Sequence, residues 1–157
     1  MGYEVNEKDE TIIRILERRS GLSSRALSGM LDIPISTVHR RIKRLEGDGV
    51  IKGYKALIDY EKTSRPIGVL LLIDLAEVIP GRGHIPKKDI INTLIKYEEI
   101  EEIIEVQAAT FDLVVRARLS SLRRLSEFVE GLRYIEGIEE TTSAIITEET
   151  TLPPRGY

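Results

Sequence analysis

The stretch that decides the fold is ISTVHRRIKRLEGDGVIKGY, residues 35–54. Its apolar residues recur at the spacing of one helical stripe, namely Ile35, Val38, Ile42 and Leu45. Four of the five residues at positions 40–44 are arginine or lysine. The pattern predicts a helix that packs by one side and turns a basic face outward. We expect it to begin after Ile35, with Ser36 as its N-cap, and to stop at residues 47–49, GDG.

Two shorter helices are predicted before this stretch. The first lies within EKDETIIRILERRSG, residues 7–21, whose acids at the front and arginines near the end match the helix dipole. The second opens at Ser23 or Ser24, since serine is a favoured N-cap residue. Pro34 disfavours helical geometry at Ile33, so a turn separates the second helix from the third.

A hairpin is predicted after the basic helix. The segment VIKGYKALID, residues 50–59, reads as two short strands about a turn at Lys52 and Gly53. Three helices and a hairpin make a winged helix-turn-helix domain. We place this domain at residues 1–60 and a linker at residues 61–66.

The second half of the chain, residues 67–157, has the element order of a ferredoxin-like domain. IGVLLLIDL, residues 67–75, is a nearly continuous apolar run and predicts a strand buried on both faces. Then come a helix in KKDIINTLIKY, strands in IEEIIEVQA and FDLVVRARL, a helix in SSLRRLSEFVEGLRYI and a strand in IEETTSAIIT. The order βαββαβ predicts an antiparallel sheet with two helices on one face, so the fold class is α+β.

The face of the sheet without helices is expected to be an association surface. We expect four apolar side chains to lie on it, namely Leu70, Leu72, Val114 and Ala117. Exposed apolar patches of this kind mark contacts between subunits. A dimer with twofold symmetry is the arrangement we expect to follow.

Composition excludes several kinds of site. The chain of 157 residues has no cysteine and only two histidines, His39 and His84, which excludes disulfides, thiolate zinc sites, a cysteine nucleophile and a histidine-rich metal cage. The glycines of residues 78–89, VIPGRGHIPKKD, fit no nucleotide-binding spacing, so we expect a surface loop with Arg82 and His84 exposed, and no cofactor. No apolar run approaches the roughly 20 residues that span a bilayer, and the first residues lack the apolar core of a secretory signal. We therefore expect a cytoplasmic protein with no membrane partner.

Charge is uneven along the chain. Residues 1–62 hold 12 Lys or Arg against 10 Asp or Glu, whereas residues 63–157 hold 11 against 16. The formal net charge of −3 therefore hides a basic front half and an acidic back half. This asymmetry predicts two modules with different partners.

The free face of the basic helix predicts double-stranded DNA as the partner of the front half. In a helix-turn-helix, the second helix of the pair enters the major groove, about 12 Å wide, by its N-terminal end. We expect base-edge contacts from Ser36, Thr37, His39 and Arg40, contacts to phosphates or groove walls from Arg41, Lys43 and Arg44, and a further phosphate contact from Arg25. The alternative is a solvated helix in which Lys43 and Arg44 merely complement the helix dipole. The preceding helix, the turn and the hairpin favour DNA binding because together they form the docking geometry.

Residues 9–59, DETIIRILERRSGLSSRALSGMLDIPISTVHRRIKRLEGDGVIKGYKALID, resemble the N-terminal domain of the Lrp/AsnC family, the leucine-responsive and feast/famine transcription regulators of bacteria and archaea. The run STVHRRIKRLEGDGVIKGY is the most specific part of the resemblance. The βαββαβ half is similar to that family's effector-binding and oligomerisation domain. The resemblance implies a dimer built through the C-terminal sheets, further assembly into tetramers or octamers, and pseudopalindromic operators. It also implies a small-molecule effector such as an amino acid.

The family's effector turn, a pattern like G-D-F-D, corresponds to part of QAATFDLVV, residues 107–115. Phe111 and Asp112 match, whereas Ala109 replaces the glycine and Thr110 replaces the first acid. Alanine adopts positive φ only at a cost, so these departures argue against amino-acid sensing. If the site is kept, the resemblance implies that Asp112 meets the α-amino group and that two hydroxyls come from the last strand, from Thr141 and Ser143. The alternative is that Asp112 caps a turn and that both hydroxyl residues are ordinary strand residues.

Two other functions fit the same two-domain build. Siroheme decarboxylases share it, and such an enzyme needs histidine or arginine to hold carboxylates, for which the C-terminal half offers His84, Arg82, Arg116, Arg118 and Arg123. An architectural protein that wraps DNA with weak sequence preference is the third hypothesis. The complete basic helix favours a non-enzymatic transcription regulator.

Overall fold

The computed structural model of the protein describes residues 5–150. The outer limits of the two predicted domains, residues 1–4 and 151–157, lie outside the described residues. The chain divides into two compact units, an N-terminal unit at residues 5–58 and a C-terminal unit at residues 59–149. Across the described part of the chain, no helix is long and apolar enough to cross a membrane.

Three helices form the N-terminal unit: α1 (Glu7–Arg18), α2 (Ser24–Leu31) and α3 (Ile35–Gly47). The Ser23 hydroxyl accepts a hydrogen bond from the Ala26 N–H at 3.2 Å, which confirms a serine cap on α2. The helices enclose one apolar core, made of Ile12, Ile15, Leu16, Leu27, Val38, Ile42 and Leu45. Three of the four positions in the predicted stripe of α3 therefore lie in the core.

The start of α3 differs from the prediction. Pro34 is the N-cap residue, and its carbonyl oxygen accepts hydrogen bonds from the N–H groups of Thr37 at 2.9 Å and Val38 at 3.1 Å. The prediction of Ser36 as N-cap is wrong, because the non-helical residue that precedes α3 is Pro34 and the helix begins two residues earlier than predicted. Ile35 lies in the first turn and is 46% exposed, so it is not part of the core.

The hairpin predicted in residues 50–59 is absent. This segment contains no strand, and its side chains beyond Ile51 are exposed, Leu57 by 72%. An isolated two-stranded hairpin is marginally stable in water, and within this segment Ile51 is the side chain that packs against the core of the N-terminal unit. Hydrogen bonds fasten the later residues: the Ser20 hydroxyl donates to the carbonyl oxygen of Lys55 at 3.1 Å, and the Tyr54 hydroxyl donates to Glu46 at 2.9 Å.

The C-terminal unit has the predicted order βαββαβ. After a short 3-10 helix, Tyr60–Lys62, its elements are β1 (Ile67–Leu75), α4 (Lys87–Leu94), β2 (Ile100–Glu105), β3 (Leu113–Leu119), α5 (Leu122–Leu132) and β4 (Ile138–Ile145). The strands form one antiparallel sheet in the order β2-β3-β1-β4. This arrangement is a ferredoxin-like sandwich, and the α+β fold class is confirmed.

One face of the sheet packs beneath α4 and α5. The core between them consists of Val69, Leu71, Ile73, Ile90, Leu94, Leu113, Val115, Ala117, Leu119, Leu125, Phe128 and Leu132. Ala117 pairs with Val69 in the register of β1 and β3, and it is fully buried. The prediction that Ala117 lies on the uncovered face is wrong, because strand alternation turns it toward the helices together with Val69.

The opposite face of the sheet is the open face. Leu70, Leu72 and Val114 lie on it, as predicted, and all three are half-buried. The prediction that β1 is buried on both faces is therefore wrong for one face. Side chains that alternate across a strand reach two different environments, and the core formed by α4 and α5 covers only one of them.

The loop between β1 and α4 is a surface loop, as predicted. Arg82 and His84 are both exposed. A bridge joins Ile79 to Gly83, and the turn between them requires left-handed backbone, with φ of 82° at Gly81 and 79° at Gly83. Glycine adopts this conformation without a steric penalty, so the glycines shape a tight turn.

A buried arginine lies on the open face. Arg118 is 4% exposed, its Nε lies 3.5 Å from Oε2 of Glu101, and its Nη2 donates to Glu149. The guanidinium carbon lies 4.0 Å from the centroid of the Tyr60 ring. Gly68 makes room for this group, since a Cβ at that position would lie 2.7 Å from Nη1 of Arg118. The buried charge is tolerated because two carboxylates neutralise it.

We predict that Glu149→Gln lowers the free energy of unfolding at neutral pH by about 1 kcal/mol, because it weakens a partly exposed charge-assisted contact. Hydrogen bonds from Arg118 first, and also from Arg116, hold the pKa of Glu149 below its ordinary value of 4.5, and partial burial opposes them. A pKa lowered by folding gives stability that is fully present above the unfolded-state pKa and is lost as the pH falls through the folded-state pKa.

Urea unfolding of both proteins at several pH values measures this effect. The difference between them should be constant near neutral pH and should shrink as the medium becomes acidic. Glu101, the other carboxylate beside Arg118, is present in both proteins and cancels in the comparison. A difference that persists unchanged in strong acid would contradict the ion pair.

Candidate nucleic-acid interface

The apolar side of α3 anchors this helix and leaves its other side to solvent. Val38 and Leu45 are fully buried, and Ile42 is 8% exposed. Among the residues predicted to contact base edges, Ser36, His39 and Arg40 are exposed and Thr37 is half-buried. Since α3 has no side-chain cap, the Ser36 hydroxyl is not used in that role and is available to a partner.

Arg41 does not face outward. Its Nη1 lies 2.7 Å from Oδ1 of Asp9, which is fully buried, and 3.3 Å from the side-chain oxygen of Asn6. Asn6 and Asp9 form the capping box of α1, so Arg41 ties α3 to the first turn of that helix. The prediction of an outward-facing Arg41 is wrong, because a buried carboxylate such as Asp9 is tolerated only with a paired cation.

Lys43 and Arg44 lie on the exposed side of α3, and each has a nearby acid. Lys43 Nζ lies 3.0 Å from Glu46 Oε2, and Arg44 Nε lies 3.7 Å from Asp48 Oδ2. Lys43 and then the Tyr54 hydroxyl donate hydrogen bonds to Glu46, and these hold the pKa of Glu46 below its ordinary value. Exposed pairs contribute little to stability because solvent screens them, so phosphates can compete for both cations.

Arg40 and Arg25 are the cations most open to a phosphate. Both are exposed, Arg25 in the first turn of α2 and Arg40 in the second turn of α3. Neither forms an ion pair with another residue in the range 5–150. Exposed charge without an internal partner suits binding to a polyanion, because it is not already neutralised.

Asp112, the acid predicted to meet an effector, is engaged within the fold. Its Oδ2 accepts a hydrogen bond from the Leu75 N–H at 3.1 Å, and its Oδ1 lies 3.3 Å from Lys87 Nζ. The carboxylate therefore caps the end of β1 and pairs with the first residue of α4. This contact differs from the sequence alternative, in which Asp112 caps a turn, because Leu75 lies 37 residues away in the chain.

The rest of the family's effector turn is a loop. Phe111 is half-buried, whereas Ala109 and Thr110 are exposed. Within residues 5–150 the one residue other than glycine with positive φ is Asp32, so Ala109 has an ordinary backbone conformation. The absence of the family's glycine therefore causes no backbone strain in this chain.

Thr141 and Ser143 are not gathered around Asp112. They pair with Ile73 and Leu71 of β1, whose side chains face α4 and α5. Because β1 separates β4 from β3, the two hydroxyl residues are about 10 Å, or two strand spacings, from the strand that follows Asp112. Ser143 instead lines a groove along α5.

Comparison with known proteins identifies the family. Residues 5–52 match a family described as winged helix-turn-helix DNA-binding. The chain is 32% identical over 153 residues to the HTH-type transcriptional regulator FL11 of Pyrococcus furiosus, a match that covers 95% of this chain and 96% of the relative. A solved AsnC family transcriptional regulator from Agrobacterium tumefaciens superposes with a TM-score of 0.76 at 22% identity, over 97% of this chain and 96% of that chain. The chain belongs to the Lrp/AsnC family.

Members of the Lrp/AsnC family are DNA-binding transcription regulators, and this chain is one of them. A further solved neighbour is the transcriptional regulator NMB0573 from Neisseria meningitidis, described as an L-Met complex. It superposes with a TM-score of 0.79 at 20% identity, over 96% of this chain and 94% of that chain. These two structural matches show the shared two-domain fold.

The sequence prediction did not include the polar partners, Asn6, Asp9 and Glu46, of the cations on α3. Asn6 and Asp9 have the spacing of a capping box, which is a readable local signal. Glu46 lies three residues after Lys43, which predicts contact on a helix surface. The pairing of Asp9 with Arg41 has no local signal, because it joins two helices that are distant in sequence.

We predict that Arg41→Ala lowers the free energy of unfolding by about 3 kcal/mol, because it leaves the buried Asp9 carboxylate without its guanidinium partner. Arg40→Ala is the matched control, since it removes an exposed cation from the adjacent position. Its effect should be within about 0.5 kcal/mol of zero. Chemical denaturation measures both variants, and equal losses of stability would contradict a structural role for Arg41.

Proposed function

We propose that this Lrp/AsnC regulator binds pseudopalindromic operators as a homodimer, with α3 of each subunit in a major groove. The base-edge contacts come from Ser36, Thr37, His39 and Arg40, and the phosphate contacts come from Arg25, Lys43 and Arg44. In this proposal Arg41 positions the helix and does not contact DNA. The role is regulatory and non-enzymatic, in keeping with the relatives of the chain, and the protein acts in the cytoplasm.

The observation that carries the proposal is the division of α3 into two sides. Buried Val38 and Leu45, together with the ion pair between Arg41 and Asp9, fix which side faces the solvent. A surface that is already ordered loses little conformational entropy on binding. Its cations can release condensed counterions from phosphates, while Arg40 and the short hydroxyls can reach base edges.

The open face of the sheet supports a dimer as part of this proposal. Leu70, Leu72 and Val114 lie on it half-buried, and Ile104 on the same face is 45% exposed. Apolar patches on an otherwise charged surface mark association sites. A twofold axis makes one such patch complementary to its copy, and the family resemblance extends the proposal to tetramers or octamers.

An amino acid is the effector class that the family suggests. The Neisseria neighbour is described as a complex with L-Met. In this chain an incoming α-ammonium group would compete at Asp112 with Lys87, which lies 3.3 Å from the carboxylate. We therefore propose that an amino acid acts at this turn through release of the Lys87–Asp112 ion pair.

We predict that the double variant Arg40→Ala plus Arg44→Ala weakens operator binding and flattens its salt dependence. The slope of log K against log salt concentration should fall by about 0.9 for each phosphate that the variant no longer neutralises. Binding isotherms at several salt concentrations measure the affinity and the slope together. An unchanged slope in this double variant would refute the placement of α3 against phosphates.

The matched control removes two exposed cations from the C-terminal unit, with Lys96→Ala plus Arg133→Ala. It should leave the slope unchanged, which separates a local effect at α3 from a general effect of net charge. Affinity for random DNA at one fixed salt concentration provides a second comparison. Nearly equal affinities for operator and random DNA would favour the architectural hypothesis over sequence-specific regulation.

We predict that Leu72→Glu dissociates the dimer, because it places a charge in the middle of the half-buried apolar patch. Leu122→Glu on α5 is the control, since Leu122 is 57% exposed and lies on a helix away from the open face. Sedimentation velocity of the two variants measures the assembly. If Leu72→Glu remains a dimer, the subunits associate through another surface.

A further inference from the structure

Two arginines on the open face hold one carboxylate between them. Arg116 Nη1 lies 2.6 Å from Oε1 of Glu149, and Arg118 Nη2 donates to Oε2 of the same side chain. Arginine groups that grip both oxygens of a carboxylate are the usual way in which proteins recognise carboxylate ligands. In this structure the gripped group belongs to the chain itself.

The arginine site is held in place by its surroundings. Arg118 is 4% exposed, and its guanidinium carbon lies 4.0 Å from the centroid of the Tyr60 ring. Gly68 has no side chain, and Nη1 of Arg118 fills the space that this leaves. A guanidinium packed in this way cannot follow a departing carboxylate into solvent. It would keep its position beside Glu101, and the place left by Glu149 would be open to another anion.

Glu149, the carboxylate now bound by the two arginines, is held less firmly than the arginines are. Glu149 lies four residues beyond the end of β4, outside any regular element. The Ile146 N–H donates to the carbonyl oxygen of Gly68 at 2.9 Å and continues the β ladder one residue past β4. In the single subunit the Glu149 and Arg116 side chains are each 35% exposed, beside the apolar patch of the open face, so solvent and solutes reach the carboxylate there.

We propose that Arg116 and Arg118 form a binding site for a small organic carboxylate, which Glu149 occupies as an internal substitute. An incoming carboxylate takes the place of the Glu149 side chain and frees the end of the segment 146–149 from the sheet. The site lies on the open face, apart from Asp112, and its ligand binding does not depend on the proposed DNA interface.

The charges around the site favour a carboxylate over a phosphate. Glu101 Oε2 lies 3.5 Å from Arg118 Nε, so one negative charge is already present beside the guanidinium. A dianion would be repelled by Glu101 more strongly than a monoanion. The pKa of Glu149 is lowered by Arg118, so the internal carboxylate is ionised at neutral pH and competes for the same position.

Glu149→Gln tests the proposal because it removes the competing charge and keeps the size of the side chain. The probe is propionate, which is the side chain of glutamate without its backbone, titrated against chloride at constant ionic strength. The Nε–Hε NMR signals of Arg116 and Arg118 report binding. Propionate should bind the variant about tenfold or more tightly than the wild type, because a tethered competitor has a high effective concentration.

Two further variants make the result specific. Glu148→Gln neutralises the adjacent, exposed glutamate and should leave the affinity for propionate at the wild-type value. Arg116→Gln added to Glu149→Gln should abolish binding. Since Arg116 is partly exposed, its replacement spares the core, and the remaining Arg118 signal shows that the site is still folded.

The proposal is overturned if Glu149→Gln binds propionate no better than the wild type, or if binding survives the loss of Arg116. Tighter binding of inorganic phosphate than of propionate would overturn the assignment to carboxylates. All titrations are done without DNA. A failure of α3 to bind an operator would therefore leave these outcomes unaffected.

Discussion

The ion pair between Arg41 and Asp9 is the interaction on which the DNA-binding surface depends. Apolar contacts of Val38, Ile42 and Leu45 bury one side of α3, but apolar burial is not directional and leaves the helix free to slide or rotate slightly. A charge-assisted hydrogen bond of 2.7 Å sets both a distance and an angle. Asp9 is also part of the capping box at the start of α1. The same carboxylate therefore caps the N-terminus of α1 and orients α3.

The open face of the C-terminal unit combines two kinds of surface. Its centre is apolar and half-buried, as at Leu72 and Val114. Its end carries Arg116 and Arg118, whose charges are balanced by acids and not by solvent alone. Strand alternation produces this mixture, since the residues between the core positions of β3 must all lie on one side. An apolar association surface and an anion site therefore arise on the same strand.

Local periodicity explains what the sequence could predict. The stripe of α3, the limits of β1 and the order βαββαβ were readable because each depends on residues close in sequence. The prediction of a hairpin after α3 was wrong because a pair of strands needs to pack against a core, and the residues beyond Ile51 do not pack against one. The prediction that Arg41 faces outward was wrong for a different reason, because its partner Asp9 lies 32 residues away in the chain. For the same reason, the ion pair between Arg118 and Glu149 could not be predicted from the sequence around either residue.

The exposed segment after α3, residues 52–58, also affects how the protein responds to proteases. Residues 52–58 lack regular secondary structure, and Lys52 and Lys55 within them are exposed. Proteases cut where backbone can be drawn out into an extended form, and exposed loops meet that condition better than helices or strands. Brief digestion with trypsin should nick the chain at these lysines, near the end of the N-terminal unit, before it attacks the helices and strands. Each such cut would place the three N-terminal helices and the β-sheet on different polypeptide fragments.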